Sequence, residues 1–257
     1  MFLFYLFIFI VFSCWGSFLN VIAYRIIETA IPFWEKRSRC PNCKIAIPFY
    51  DNIPIISWFV LKGKCRNCRN PISYLYPLIE ITTAIIMTTL LYHLIHLGKL
   101  TIGTFAIYFI FFSALIINSR TDLQFMVIPQ IFSLYIIPIG WLAAFLQISK
   151  ISLLNSVIST IVGYYSLWIF GTIFQKITHK EGVGEGDMEL LAMIGSFLGI
   201  TGIWATLFLG SIFGLLYAIV FLKSSKLKKI PFVPFLSLAA TVFFFFEDKL
   251  IKLLFNL

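Results

Sequence analysis

Two aspartates, Asp122 and Asp187, lie at the edges of long apolar runs, where an ionisable side chain is costly and usually functional. Asp187 follows the glycine-rich turn 182–186, and an apolar stretch begins directly after it. Two carboxylates that share a proton can activate water with one group and protonate a carbonyl with the other. The pair therefore predicts an aspartic protease site within a membrane, provided that two packed helices bring the side chains together.

Each acidic residue also has a structural interpretation. Asp187 could be a helix cap or a first-turn acid that the helix dipole favours. Asp122 could be a loop acid that pairs with Arg120. A third carboxylate, Asp51, lies in the stretch 50–58, where Pro, Asp and Asn favour a turn. For Asp51 we therefore expect turn stabilisation and not catalysis.

The turn before Asp187 contains three glycines and two further acids. Gly182, Gly184 and Gly186 are expected to allow positive φ and a close approach of the backbone to a neighbour. Glu185 and Glu189 add negative charge to the same turn. Glu189 lies two positions after Asp187, so on a helix the two side chains point to different faces.

Four cysteines form two CxxC pairs, Cys40 with Cys43 and Cys65 with Cys68, with 21 residues between the pairs. This spacing predicts a structural zinc ion held by four thiolates. Basic neighbours favour the thiolate form. Thiol redox chemistry and unliganded thiols remain as alternatives. The fifth cysteine, Cys14, lies in an apolar run and is interpreted as a small buried residue.

The composition indicates that most of the chain lies in a membrane. Of the 257 residues 60% are hydrophobic and 12% are charged, against about 25% charged residues in soluble domains. Repeated apolar runs of this kind predict an all-α polytopic membrane protein. We expect about eight transmembrane helices and one zinc-knuckle cytoplasmic loop.

The predicted organisation has three parts: a first transmembrane helix at 1–24, a four-cysteine loop at 25–73, and a membrane domain at 74–257 that carries both aspartates. The stretch 188–222 is too long for one crossing and is divided at Gly199–Gly202. The remaining spans are predicted at about 74–96, 100–117, 128–147, 151–174 and 230–246. The span at 128–147 is predicted to begin at Ile128-Pro129, because Pro suits the first turn of a helix.

The distribution of charge predicts the orientation. If the four-cysteine loop is cytoplasmic, 16 of the 20 Lys and Arg residues fall on the cytoplasmic side, as positively charged loops do. Asp122 and Asp187 then lie at the same cytoplasmic edge. The net charge of +9 is explained by this asymmetry, so no nucleic-acid partner is expected. The lipid bilayer is the predicted environment, and the sequence does not specify an oligomeric state.

Taken in order, these residues resemble those of the type IV prepilin peptidases, which are membrane aspartic proteases with a GxGD motif. The resemblance covers nearly the whole chain. Its motifs are Gly16–Val21, Tyr24-Arg25, the two CxxC pairs, Asp51–Pro54, Ser57-Trp58, Gly63–Cys65, Ile72–Glu80, Asp122, Ile128-Pro129, Gly184–Asp187, Leu190–Ala192 and Pro231–Leu236.

The resemblance implies a bifunctional enzyme of the bacterial inner membrane. It implies that Asp122 and Asp187 cleave the leader of prepilins or pseudopilins after a Gly, in pilus assembly or type II secretion. It also implies methylation of the new N-terminus from S-adenosylmethionine, and Gly63 and Lys64 match positions linked to that activity. The domain at 74–257 would then be the peptidase domain.

Two positions depart from the family pattern. The family often has Lys at the position of Glu189 and Asp at the position of Gln130. Two other functions stay open on the residues alone: a membrane thiol oxidoreductase that uses the CxxC pairs, and a proton-coupled transporter that uses the acids. Acids at one membrane edge fit transport poorly, because transport sites tend to lie near the midplane.

Overall fold

The computed structural model describes residues 2–27, 38–180, 182–221 and 230–255. Within these ranges the chain is helical, with two isolated β-bridges and no strand. The helices are α1 Phe2–Ile27, α2 Ile56–Val60, α3 Leu75–His96, α4 Ile102–Phe125, α5 Ile137–Phe145, α6 Leu153–Thr178, α7 Glu185–Phe221 and α8 Val233–Phe255.

The helices confirm the prediction of an all-α polytopic membrane protein. Among the described residues, α1, α3, α4, α6 and α7 are each long and apolar enough to cross a membrane. The stretch 130–145 is apolar but shorter, and α8 departs from helical geometry at Phe246. The last span was predicted to end at this residue. The charged residues of α8, Glu247, Asp248 and Lys249, follow the break.

Helix α7 contains the predicted division between two spans. Its 37 residues are interrupted at Gly199, which has φ 72° and ψ −172°. A Cβ built on Gly195 would lie 2.8 Å from Cδ1 of Ile203, although eight residues of straight helix rise about 12 Å. The chain therefore bends sharply at Gly199, and α7 consists of two helical segments joined at that residue.

Two boundaries differ from the prediction. Helix α4 continues to Phe125, so Asp122 lies inside its last turn and not beyond the helix. The predicted span at 128–147 is not one helix: two 3₁₀ turns, Gln130–Phe132 and Leu134–Ile136, precede the nine-residue α5. Pro129 thus begins a 3₁₀ turn, which places polar side chains where a regular helix was expected.

The chain divides into two compact units, residues 1–101 and 102–257. In the first unit α1 packs on α3, and a Cβ on Gly16 would lie 2.8 Å from Cα of Glu80. Asn20 of α1 donates to the carbonyl of Tyr76 at 3.2 Å. Small and polar residues at this crossing let the two backbones approach, as is common between membrane helices.

The second unit contains both aspartates, and small residues pack its helices closely. A Cβ on Gly163 of α6 would lie 2.7 Å from the carbonyl oxygen of Leu191 of α7. The Ser156 hydroxyl donates to the carbonyl of Ser196 at 2.6 Å. Because these contacts involve backbone atoms, they fix α7 against α6 with little freedom. The first turn of α7, which carries Asp187, is positioned by this packing.

Part of the predicted charge asymmetry lies outside the described residues. The basic connector 223–229 falls there, together with Lys36 and Arg37 of the four-cysteine loop. The predicted orientation in the membrane therefore stays a prediction.

Candidate active site

Asp122 is held by the start of another helix. Its Oδ2 accepts a hydrogen bond of 3.1 Å from the backbone N–H of Val233, the first residue of α8, and the aspartate is buried. N–H groups in a first turn have no partner inside their own helix, and the helix dipole favours a negative charge there. Asp122 thus satisfies a backbone donor of α8 while α4 fixes its position.

Asp187 is the third residue of α7 and is held by the turn before it. Its carboxylate accepts a hydrogen bond from the backbone N–H of Gly184, and its own N–H donates to the Gly184 carbonyl at 3.2 Å. An acid at this position that reaches back to the cap residue is half of a capping box. The interpretation as a first-turn acid is therefore correct for the local geometry, and it orients the carboxylate.

The structure brings the two carboxylates together. The charge on Asp122 acts on the Asp187 carboxyl, although 65 positions separate them in the chain. Each carboxylate has an oxygen held by a backbone N–H at a helix N-terminus. Two carboxylates within range of each other's charge can share one proton if their free oxygens meet. The two aspartates lie near enough to interact, as general acid–base chemistry by a pair requires.

The glycines of the turn provide close packing and not unusual backbone angles. Gly184 and Gly186 do not adopt the positive φ that glycine allows. Close approach is confirmed at two of the glycines of this turn. A Cβ on Gly186 would lie 2.6 Å from Cδ1 and 2.7 Å from Cβ of Ile128, and one on Gly182 would overlap the ring of Phe174.

We expect Gly186→Ala to destabilise the protein by about 1–3 kcal/mol, the usual cost of an added methyl group in a filled space. The methyl group would push Ile128 away from the first turn of α7 and lower the thermal midpoint in detergent. Gly214→Ala is the matched control on α7, because a Cβ there meets nothing closer than 3.6 Å. An equal midpoint for both variants would contradict this packing.

The two departures from the family pattern contact each other. Nε2 of Gln130 donates to Oε1 of Glu189 at 2.9 Å, and the Ser133 hydroxyl donates to Oε2 at 2.9 Å. Glu189 is buried, and Asn118 of α4 donates to the Phe132 carbonyl at 2.7 Å, which holds the 3₁₀ turn in place. Two neutral donors therefore satisfy a buried carboxylate two residues after Asp187.

The two CxxC pairs form two turns of the same design. The residue after each pair, Lys44 or Arg69, has φ 58°. The N–H of Cys40 donates to the Ile45 carbonyl at 3.0 Å, and that of Cys65 donates to Asn70 at 2.8 Å. Such turns direct the sulfurs and the nearby N–H groups to one side, as in a zinc knuckle.

The four sulfurs converge on one point. All four Sγ atoms lie within 4.8 Å of one another, and Cys40 Sγ is 3.8 Å from Cys68 Sγ. Tetrahedral zinc with Zn–S bonds of about 2.3 Å requires sulfurs about 3.8 Å apart. Backbone N–H groups lower the pKa of Cys43 and Cys68, whereas burial raises the pKa of Cys40 to about 11. The cluster fits a metal ion of this kind.

The rest of the loop supports the cluster. Asp51 forms a two-pronged ion pair with Arg66 at 2.6 and 2.7 Å, and this contact lowers the pKa of Asp51. The prediction that Asp51 stabilises a turn fits this geometry. Gly63 has φ 64°, and a Cβ there would lie 3.0 Å from the Trp58 ring, so Gly63 seats the indole. Lys64 is exposed beside it.

Sequence reasoning missed three residues of the site: Val233, Ile128 and Ser133. The first two were noted as parts of motifs, but no role followed, because a backbone donor and a packing contact have no residue-type signature. Ser133 lies in a stretch that was predicted as a regular span, and its role depends on the 3₁₀ turns found there.

Family models match two parts of the chain. Residues 10–94 match the model described as the bacterial Peptidase A24 N-terminal domain. Residues 109–219 match the model described as the type IV leader peptidase family. The two matches together contain the cysteine cluster and both aspartates. No solved structure matches the chain.

Curated proteins similar to the chain agree with these models. A prepilin leader peptidase/N-methyltransferase of Neisseria gonorrhoeae is 31% identical over 91% of this chain and 87% of that protein. One of Dichelobacter nodosus is 33% identical over 91% and 89%. A type 4 prepilin-like proteins leader peptide-processing enzyme of Escherichia coli O78:H11 is 34% identical over 89% of both chains.

Proposed function

The chain belongs to the type IV leader peptidase family, and on this premise we propose that Asp122 and Asp187 are its catalytic pair. The protein removes leader peptides from prepilins and methylates the N-terminus that cleavage exposes. The observation that carries the assignment is that Asp122 lies within charge range of Asp187, with each carboxylate oriented by a backbone N–H at a helix N-terminus.

The proposed reaction needs one proton shared by the pair. The ionised aspartate takes a proton from water, whose oxygen attacks the scissile carbonyl carbon, while the protonated aspartate donates its proton to the carbonyl oxygen. The resulting gem-diol intermediate collapses and the C–N bond breaks. The leaving amine takes a proton from one aspartate, and one hydroxyl of the intermediate returns its proton to the other aspartate as the carbonyl forms again. The N–H groups of Val233 and Gly184 keep both carboxylates oriented throughout the reaction. Because these donors are already in place, no solvent has to reorganise as charge develops.

The proposed substrate is a prepilin or pseudopilin cut after a Gly, commonly before Phe. The described part of the turn beside Asp187 supports this choice, because Gly184 is exposed and has no side chain. An extended peptide can lie against such backbone. The test is incubation of the protein in liposomes with a prepilin, and we expect a leader ending in Gly to be released.

We further propose that the first unit serves methylation. S-adenosylmethionine would supply an electrophilic methyl group to the new N-terminal amine. Lys64 is proposed to contact the methyl donor, because its exposed ammonium group can pair with the carboxylate of S-adenosylmethionine. The space beside the Gly63 Cα is occupied by the Trp58 ring, so Gly63 does not itself leave room for the methyl donor. Its proposed role is to hold that ring and the backbone that leads to Lys64.

We propose that Cys40, Cys43, Cys65 and Cys68 bind one structural zinc ion. The cross-link would order a polar loop that has no apolar core of its own. The arrangement of the four sulfurs supports metal binding over a thiol oxidoreductase, and nothing in the site favours the transporter. We place the protein in the bacterial inner membrane. The distribution of charge in the sequence supports a cytoplasmic position for this loop and for the aspartates.

We expect Cys40→Ser/Cys43→Ser to lose the bound zinc and to lower methylation more than cleavage, because the aspartates belong to the other unit. Metal analysis should give about one zinc per chain in the parent protein, the stoichiometry of a four-thiolate site. Cys14→Ser is the control, since Cys14 lies in α1 outside the cluster. The interpretation of Cys14 as a buried residue is wrong, because its side chain is exposed on α1. Equal loss of cleavage and methylation would mean that the loop only maintains the fold.

A further inference from the structure

The short helix α2 directs a stripe of apolar side chains away from the loop that carries it. Ile56, Phe59 and Val60 are three and four positions apart, so they share one face of the helix. They are 59%, 61% and 68% exposed. An exposed cluster of large apolar side chains marks a surface that contacts something other than water.

The other side of α2 is bonded to the loop. Ser57 is buried and donates to the Tyr50 carbonyl at 3.1 Å. The Trp58 indole donates to the Ile72 carbonyl at 3.1 Å. These bonds fix which side of α2 faces outward, so the exposure of the apolar stripe is a consequence of the fold.

The stripe is part of a larger surface. The 3₁₀ turn Phe49–Asn52, which the Ser57 bond joins to α2, exposes Phe49 to 86%, and Ile53 after it is also exposed. We call Phe49, Ile53, Ile56, Phe59 and Val60 the apolar face of the loop. Leaving five such side chains in water forgoes the free energy of burying them.

A hydrogen bond to helix α3 fixes the position of the apolar face along that helix. The N–H of Ile55 donates to Oε2 of Glu80 at 2.6 Å. Glu80 is the sixth residue of α3, which is about 7.5 Å along the helix from its start, and Ser17 of α1 also bonds its carboxylate. The backbone that enters α2 therefore lies beside the second turn of a helix that crosses the membrane.

The chain is turned sharply at this bond. Ile55 has φ 65° and ψ −59°, and the N–H of Ile56 donates to the Pro54 carbonyl at 2.6 Å. This is a γ-turn with positive φ, which is rare and costly for a β-branched residue. The bond to Glu80 holds the turn, and the turn sets the direction in which α2 leaves α3.

We propose that the apolar face of the loop inserts into the boundary between headgroups and acyl chains of the bilayer. The four-cysteine loop then lies on the membrane as an interfacial element and does not extend into water. Lys62 and Lys64 follow α2 directly and are exposed, where they can attract anionic headgroups. Apolar insertion combined with a basic rim is the pattern of interfacial helices.

The test replaces Phe59 by the photoreactive p-benzoylphenylalanine in the full chain, reconstituted in liposomes of phosphatidylglycerol and phosphatidylcholine. Mass spectrometry after irradiation measures the phospholipid adduct. The same probe at Ile85, exposed on α3, and at Asn70, exposed on the second knuckle, gives the membrane and water references. We expect the Phe59 probe to match Ile85 and to exceed Asn70 about tenfold, the order of partitioning that burial of one large apolar side chain produces.

A Phe59 adduct no greater than that at Asn70 overturns the proposal. So does an adduct predominantly with a second copy of the chain or with an added prepilin, since either would be the true occupant. The probe at Phe49 repeats the test outside α2, in case substitution in the helix prevents folding. In the Phe59 probe background, Lys62→Gln should lower the share of phosphatidylglycerol among the adducts about fivefold, and an unchanged share would refute the basic rim.

Discussion

Asp122→Asn and Asp187→Asn are each expected to lower the rate of prepilin cleavage by about 10⁴-fold, the upper range for a positioned acid–base group. An amide preserves the volume of the side chain and can still accept from Val233 or Gly184, so the fold should persist. It cannot take a proton from water or share one with its partner. The loss therefore falls on the chemical step, with membrane insertion unchanged.

Glu185→Gln is the control for this pair of variants. Glu185 lies two residues before Asp187 at the start of α7, is exposed, and has no place in the proposed reaction. The Glu185→Gln variant should cleave prepilin at the parent rate, measured at saturating substrate in the same liposomes. Normal cleavage by either aspartate variant would refute the assignment, and so would an equal loss in Glu185→Gln.

Gln130→Asp is expected to lower cleavage about 10²-fold, the cost of a small misplacement near a reacting group. The change replaces a donor to the buried Glu189 with a second carboxylate. One of two adjacent buried carboxylates must then take up a proton or move away. Because Glu189 is two residues from Asp187, its displacement would disturb the first turn of α7.

Adding Glu189→Lys to Gln130→Asp should restore cleavage to within about tenfold of the parent, because the two changes create an opposite-charge pair. This combination is the one that the family often has at these positions. The contact between the two residues explains how this chain departs at both without losing the interaction. The measurement is a double-mutant cycle on cleavage rates.

Gln130→Asn is the matched control, since it retains an amide that can donate to Glu189. It should cost less than Gln130→Asp despite an equal shortening of the side chain. A double variant that is worse than both single variants would contradict a direct coupling. Glu189 would then need another explanation for its burial.

The acids and cysteines were found from the sequence because their chemistry depends on residue type and spacing. A carboxylate at the edge of an apolar run and four cysteines in two CxxC pairs are unusual for structural reasons alone. The structure places Asp122 near Asp187 and groups the four sulfurs, as those patterns predicted. The division of α7 at Gly199 was also predicted, since its length exceeds one crossing.

The backbone around the aspartates could not be predicted in the same way. The glycines before Asp187 would allow positive φ, yet Gly186 is needed because Ile128 occupies the space of a Cβ. The predicted span after Pro129 begins with two 3₁₀ turns, which bring Gln130 and Ser133 to Glu189. Such contacts depend on residues distant in sequence, and the pattern of apolar residues carries no information about them.

Catalysis by the aspartate pair is tested most directly by mass spectrometry of a prepilin after incubation with the reconstituted protein, alongside Asp122→Asn and Asp187→Asn. One spectrum measures cleavage, its position and methylation. For the parent protein we expect a leader that ends in Gly and a mature chain carrying one added methyl group, and for both variants we expect uncut prepilin. Release of the same leader by either variant would contradict the proposed role of the two carboxylates.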